Sequence, residues 1–298
     1  DNFFQGHGVW PRRGIRGGYG TNITGAGHSI CYNHFEHVGD SIHASGYGHL
    51  YASDYHNNEA FICEDDGYET DHGMLNLRVF DNRVVNCWAG VTAQPVHGGP
   101  VYIFRNAIYN CQYSPFKLHN VTNGILLFHN TSATKRKAFY QDPRDTITNL
   151  VSRNNLFVGG SAGYDCRATM SHCDFDADGY AGNPDKTGKP FVKVRKMVKC
   201  SMYPKHGPYR INPKTCFKNN IAAPEDHKKT YTLEKTDFRL SESSDAVDKG
   251  VRLPNFNDGY TGKAPDLGCY EYGKPLPHYG PRPSGFSIQE EISKHHKK

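Results

Sequence analysis

The chain has 298 residues, a formal charge of +5, 31 glycines, 17 prolines and nine cysteines. That length can bury a sizeable core. No apolar run reaches the roughly 18 residues that a membrane helix needs. The mild charge is concentrated between Lys186 and Lys218 and in the tail around Lys297, and reads as solvated surface. With no basic helix and no aromatic-plus-basic recognition motif, nucleic acid is not expected as a partner.

In chain order, residues 1 to 30 read as an irregular first coil, with Arg16 of Gly14-Ile15-Arg16 expected beside His43. No amphipathic helix covers this end, which leaves it open to a partner or to end-to-end self-association. No signal peptide is visible, and secretion is the expected setting on fold and composition.

A period then sets in. Asparagines at 33, 57, 82, 106, 130 and 154 are 24 or 25 residues apart, and each opens a similar segment. Within a segment apolar residues alternate, with glycine and asparagine at the corners. Repetition of short strands at this period predicts an all-β solenoid. The expected fold is a single-stranded, right-handed parallel β-helix. Aligning the coils puts Ile42, Tyr68, Val91 and Phe116, and then Ala44, Thr70, Ala93 and Leu118, toward the core. The alternate residues form two outward columns: His43, Glu69, Thr92 and Lys117, and then Ser45, Asp71, Gln94 and His119. Cys63, Cys87 and Cys111, 24 apart, read as a buried stack. Cys166 with Cys173 and Cys200 with Cys216 are candidate disulfides.

Residues 132 to 145, with Lys135, Arg136 and Lys137, read as a loop leaving the stack beside the outward columns. From 161 to 230 the repeat is lost and a loop-rich insertion is expected. Within it, Asp174-Phe175-Asp176-Ala177-Asp178-Gly179 matches the start of a calcium loop, with Asp185 at the twelfth position and no flanking helices. Asp174, Asp176 and Asp178 are thus candidate ligands for calcium. The β-helix domain is expected over 1–282, and 283–298 as a polar tail. Of three glycosylation sequons (Asn22, Asn120, Asn130), that at Asn130 falls in the asparagine ladder and should be unusable.

The coils NLRVFDNRVVNCWAGVTAQPVHGGPVYIFRNAIYN and the ending SSDAVDKG…APDLGCYEYG resemble bacterial right-handed parallel β-helix repeat proteins, the class that includes pectate lyases, polygalacturonases and chondroitinase-type lyases. The resemblance covers most of residues 14–160 and 236–273. It implies binding, and usually cleavage, of an extended polysaccharide along a groove of stacked strands. The paired aspartates and Gly-His-Gly of polygalacturonases are absent in their usual order, so those roles do not transfer.

Three functional readings follow. In the first, a secreted glycoside hydrolase uses Glu69 as general acid and Asp71 as base, at a separation suited to inversion. Asp66, His43 and Gln94 then bind substrate. In the second, a lyase acts on an anionic glycan with Lys117 or His119 as base and Arg105 assisting. The third is a non-catalytic extracellular solenoid that binds glycan or self-assembles.

Overall fold

A computed structural model describes residues 1–44, 46, 49–182 and 196–285. The chain is a parallel β-helix of about seven turns. Its strands form an 11-stranded sheet, a 13-stranded sheet and a two-stranded pair, and every pairing between named strands is parallel. One coil shows the plan. Asn82 opens it, the strand Arg83–Ala93 bends near Asn86, Val96–Phe104 returns in the second sheet, and Arg105 turns the chain into Asn106.

That corner depends on two adjacent residues. The first takes a left-handed backbone: Tyr32, Asn57, Asp81, Arg105, His129, Asn154 and Ala177 all have φ between 50° and 59°. Asn, Asp and His accept this more readily than branched residues do. The second points inward and builds a ladder of Asn33, Asn58, Asn82, Asn106, Asn130, Asn155 and finally Asp178. Each backbone N–H donates to the side-chain oxygen of the next rung at 2.9–3.2 Å. The expectation of Asn57 and Asn154 in the ladder is corrected to Asn58 and Asn155. In both Asn-Asn pairs the first residue is the left-handed one, and its side chain leaves the stack. The sequon residue Asn130 is fully buried in the ladder.

The inward columns are as expected: Ile42, Tyr68, Val91 and Phe116 register with one another and are fully buried. Cys87 registers with both Cys63 and Cys111. All nine cysteines are free thiols, so neither expected disulfide forms. Cys173 lies instead beside Cys200 of the next coil.

The coils do not end at 160. Strands Ala162–Cys166, Thr169–Ser171, Asp174–Asp176 and Gly179–Gly182 continue the stack, and Tyr209–Ile211 is its last strand. The proposed insertion therefore contains further coils. Its lower apolar periodicity hid them, because Cys, Asp and Gly fill strand positions there. Asp185 and the tail from 286 lie outside the described residues.

Residues 212–285 form a strap that returns along the stack. It lies on an outward column that is apolar, Val85–Tyr109–Ala133–Val158–Ala181, and adds Phe217, Phe238, Leu267 and Tyr270 to form a second core. Its tethers reach back to the first coils. Tyr231 exchanges hydrogen bonds with Asn86, Gly280 donates to Asn57, and Arg282 pairs with Asp1. The first strand, Phe3–Gln5, remains an open sheet edge with Phe3 58% exposed. Among the described residues no helix is long and apolar enough to cross a membrane.

Candidate functional site

The first outward column assembles as the repeat predicted. Thr92 registers with both Glu69 and Lys117, and the Ile42–Tyr68 pairing carries His43 to Glu69. On the preceding coil His43 meets Asn22, its register partner, and Tyr19, whose ring stacks on the imidazole at 3.9 Å. Arg16, expected there, is exposed, and its backbone N–H donates to Glu64, which also accepts from the backbone of Val9 and Gly17.

Outward does not mean exposed. Glu69 is 6% exposed, Asp71 7%, Lys117 8% and Asp66 1%. The N-terminal segment folds over this part of the stack, held by Glu64 and by an Arg12–Asp65 ion pair of 2.9 Å. Beneath it the acids form a connected cluster. Glu69 Oε2 accepts from the Ala44 N–H at 2.8 Å and meets His43 Nδ1 at 2.7 Å. His43 Nδ1 also lies 3.1 Å from Asp40 Oδ2, and Asp40 Oδ1 accepts the Asp66 N–H at 2.9 Å. Asp66 Oδ2 takes the Lys117 ammonium, while its Oδ1 is buried without a partner. Asp71 accepts from the Thr92 hydroxyl at 2.9 Å.

Four buried carboxyls thus share one buried ammonium. Burial, reinforced by the mutual repulsion of Asp40, Asp66 and Glu69, pushes Glu69 up to about 9. Burial and the neighbouring Glu69 charge push Asp71 well up as well. Burial lifts Asp66 to about 8 against the pull of Lys117. Lys117 itself is raised: burial lowers it, but Asp66 and Asp71 outweigh that. The cluster therefore retains protons at neutral pH, and Lys117 is a held cation rather than a free base.

The solvent side of the site is aromatic and basic. Trp88 and Tyr113 stack at 5.5 Å, and Tyr140 meets Tyr113 edge-on at 5.6 Å. Arg12 lies over Trp88 at 4.3 Å. Gln112, Tyr113, Arg136, Lys137 and Tyr140 line an open pocket; the segment 132–145, expected to leave the stack as a loop, instead continues it in the strands Thr131–Thr134 and Lys137–Gln141. His119 stands at the margin. Its Nε2 is 2.8 Å from the Tyr113 hydroxyl and 3.5 Å from Asp145 Oδ2. Burial and the nearby Lys117 charge lower it to about 4, so the ring is neutral at ordinary pH. Trp88, Tyr113, Tyr140 and Asp145 were not singled out from sequence. The 25-residue step from Trp88 to Tyr113 is the signal that marks them as one column.

Other candidates lie apart or differ in role. Gln94 follows Ala93, the register partner of Leu118, and is half-buried. Arg105 lies at the corner before the strand Ala107–Leu118, at the end away from Lys117 and under the strap, where it donates to the Phe256 carbonyl at 2.9 Å. Its left-handed backbone (φ 55°) places it in the corner column, away from the acids.

Asp174, Asp176 and Asp178 do not converge on a common point. Asp174 pairs with Arg153 and Asp176 with His206. Asp178 turns inward as the last ladder rung and accepts from Asn155 and Ser152. A strand at Asp174–Asp176 replaces the loop that alternating calcium ligands require. Among the described residues, Asp40, His43 and Glu69 are a set able to hold a metal, with ligand atoms within 4.8 Å of one another. Two carboxylates and an imidazole suit a divalent ion of mixed oxygen and nitrogen preference better than calcium.

Comparison with protein-family models and with curated proteins finds no match.

Proposed function

We propose that this β-helix is an enzyme that cleaves an anionic, uronate-containing polysaccharide by β-elimination, working outside the cell. The observation that carries the reading is a neutral His119 hydrogen-bonded to the Tyr113 hydroxyl, at the edge of a pocket lined by Gln112, Tyr140, Arg136 and Lys137. Aromatic rings accept sugar rings, and the Arg136 guanidinium suits a substrate carboxylate, Lys137 being paired with Asp165. His119 removes the proton next to the uronate carboxyl. The released pair forms the ring double bond, the glycosidic C–O bond breaks, and Tyr113 gives the leaving oxygen its proton. Burial raises the Tyr113 phenol, which keeps it protonated until that step.

Hydrolysis is the second reading, favoured by a Glu69 carboxyl held protonated up to about 9. It also needs Asp71 ionised as the base, and burial together with the neighbouring Glu69 opposes that.

The test is a panel of acidic and neutral polysaccharides, followed by ultraviolet absorbance for an unsaturated product and by reducing ends. Elimination predicts both signals on an acidic polymer, with His119→Ala at least ~100-fold slower and Glu69→Gln close to the parent. Reducing ends without absorbance, lost in Glu69→Gln, would establish hydrolysis instead. No cleavage of any polymer would remove both and leave glycan binding.

A further inference from the structure

We infer that Cys31, His56 and Asn57 form a nucleophilic thiol centre, separate from the acidic groove, at which small hydroperoxides modify Cys31. Cys31 ends the strand Ser29–Cys31 and His56 ends Asp54–His56 one coil above. The two are direct register partners, so their side chains stand side by side on one face of the second sheet. His56 Nδ1 donates to Asn57 Oδ1 at 2.8 Å, which leaves Nε2 for the sulfur. Asn57 is itself anchored, its amide donating to the His278 carbonyl of the strap at 2.8 Å. A thiol, an imidazole and an orienting amide are the parts from which an activated cysteine is built.

The rest of the chain sets this cysteine apart. Seven of the nine thiols are buried, whereas Cys31 and Cys200 are half-buried. Burial pushes the thiols of Cys87, Cys111, Cys166, Cys173, Cys216 and Cys269 up. The His56 hydrogen bond, working against burial, pushes Cys31 down. Burial lowers His56 in turn, but its bonds to Cys31 and Asn57 outweigh that and it moves up. The charged groups around the pair are Asp54, tied to Arg78 at 2.6 Å, Asp81 at the next corner, the Asp1 ammonium, 3.4 Å from the Cys31 carbonyl, and Arg282, which lies 4.0 Å over the Tyr32 ring and pairs with Asp1. Of these, Arg282 favours the thiolate and Asp54 the imidazolium. Both favour the ion pair.

The chemistry is balanced by the peroxide itself. The Cys31 thiolate attacks one peroxide oxygen, an S–O bond forms and the O–O bond breaks. Sulfur is oxidised by two electrons to the sulfenic acid. The leaving oxygen takes the His56 proton and departs as water or an alcohol.

The experiment uses the intact folded chain. Iodoacetamide alkylation is followed by peptide mass spectrometry from pH 5 to 9, and hydrogen peroxide is then applied with dimedone as the sulfenate trap. Near pH 6.5, Cys31 should alkylate at least roughly tenfold faster than Cys200, the other half-buried thiol. Dimedone should mark Cys31 first. His56→Gln and Asn57→Gly should return Cys31 to the rate and pH dependence of Cys200; glycine accepts the left-handed backbone at 57, so only the amide is lost. The parent profile stands alone if either variant misfolds. A Cys31 profile like that of Cys200, or no dimedone adduct at Cys31, overturns the inference.

Discussion

Asn106→Ala tests the framework on which both sites hang. Asn106 is fully buried, and its amide donates to the Val79 and Phe104 carbonyls at 2.8 and 3.1 Å and to Asn130 Oδ1 at 3.0 Å. Its oxygen accepts both the backbone N–H and the side-chain amide of Asn82. Alanine orphans the Asn82 N–H in the interior, which costs about 1–3 kcal/mol, and removes donors from two carbonyls at roughly 0.5–1.5 kcal/mol each. Because carbonyls have a second lone pair, the expected total is about 2–4 kcal/mol. At roughly 2–4 °C per kcal/mol for a chain of this order of size, the melting temperature should fall by about 5–15 °C. Calorimetry and urea unfolding measure it. Asn57→Gly is the comparison: its left-handed φ of 55° suits glycine, and it carries no ladder bond, only outer bonds to His56 and His278, so it should lose clearly less stability than Asn106→Ala. A loss below about 1 kcal/mol in Asn106→Ala, or an equal loss in Asn57→Gly, would refute the ladder argument.

Other consequences follow from the buried acids, the histidine and the strap. Glu69 has a folded pKa of about 9 against an ordinary 4.5, so folding is least hindered below pH 4.5 and loses stability as pH rises toward 9. Glu69→Gln should therefore match the parent near pH 4 and exceed it near pH 8 in unfolding midpoint; parallel curves would show that Glu69 is ionised in the fold. His119, lowered from 6.5 to about 4, should give a cleavage rate independent of pH down to about 5 on its acid limb, and an acid limb near 6.5 would show an unshifted imidazole. Phe238, 1% exposed between strap and stack, should cost about 3–5 kcal/mol on truncation to alanine. Limited proteolysis should then cut between 212 and 282 much faster than in the parent, unless the strap is held mainly by its polar tethers.

Much of this architecture was legible in the residues alone. A 24-residue step with alternating apolar positions leaves few folds, since each coil must stack its inward residues on the coil before it. The core column through Tyr68 and Val91, the cysteine stack and the outward column from His43 to Lys117 all follow from that one repeat. Three-dimensional packing decided the rest. Repetition says which side chains point away from the core, but not what lies over them. A strap distant in sequence turns Val85 and Tyr109 into a second core, and the N-terminal segment covers Glu69 and Asp66, so their pKa values rise through lost water. Within each Asn-Asn pair, backbone hand selected the ladder residue. At Asp174–Asp178, pairing with the neighbouring coil drew out a strand where local spacing pointed to a metal loop. Cys31 and His56 met for the same reason. Residues 25 apart become neighbours only when the coils stack about 4.8 Å apart.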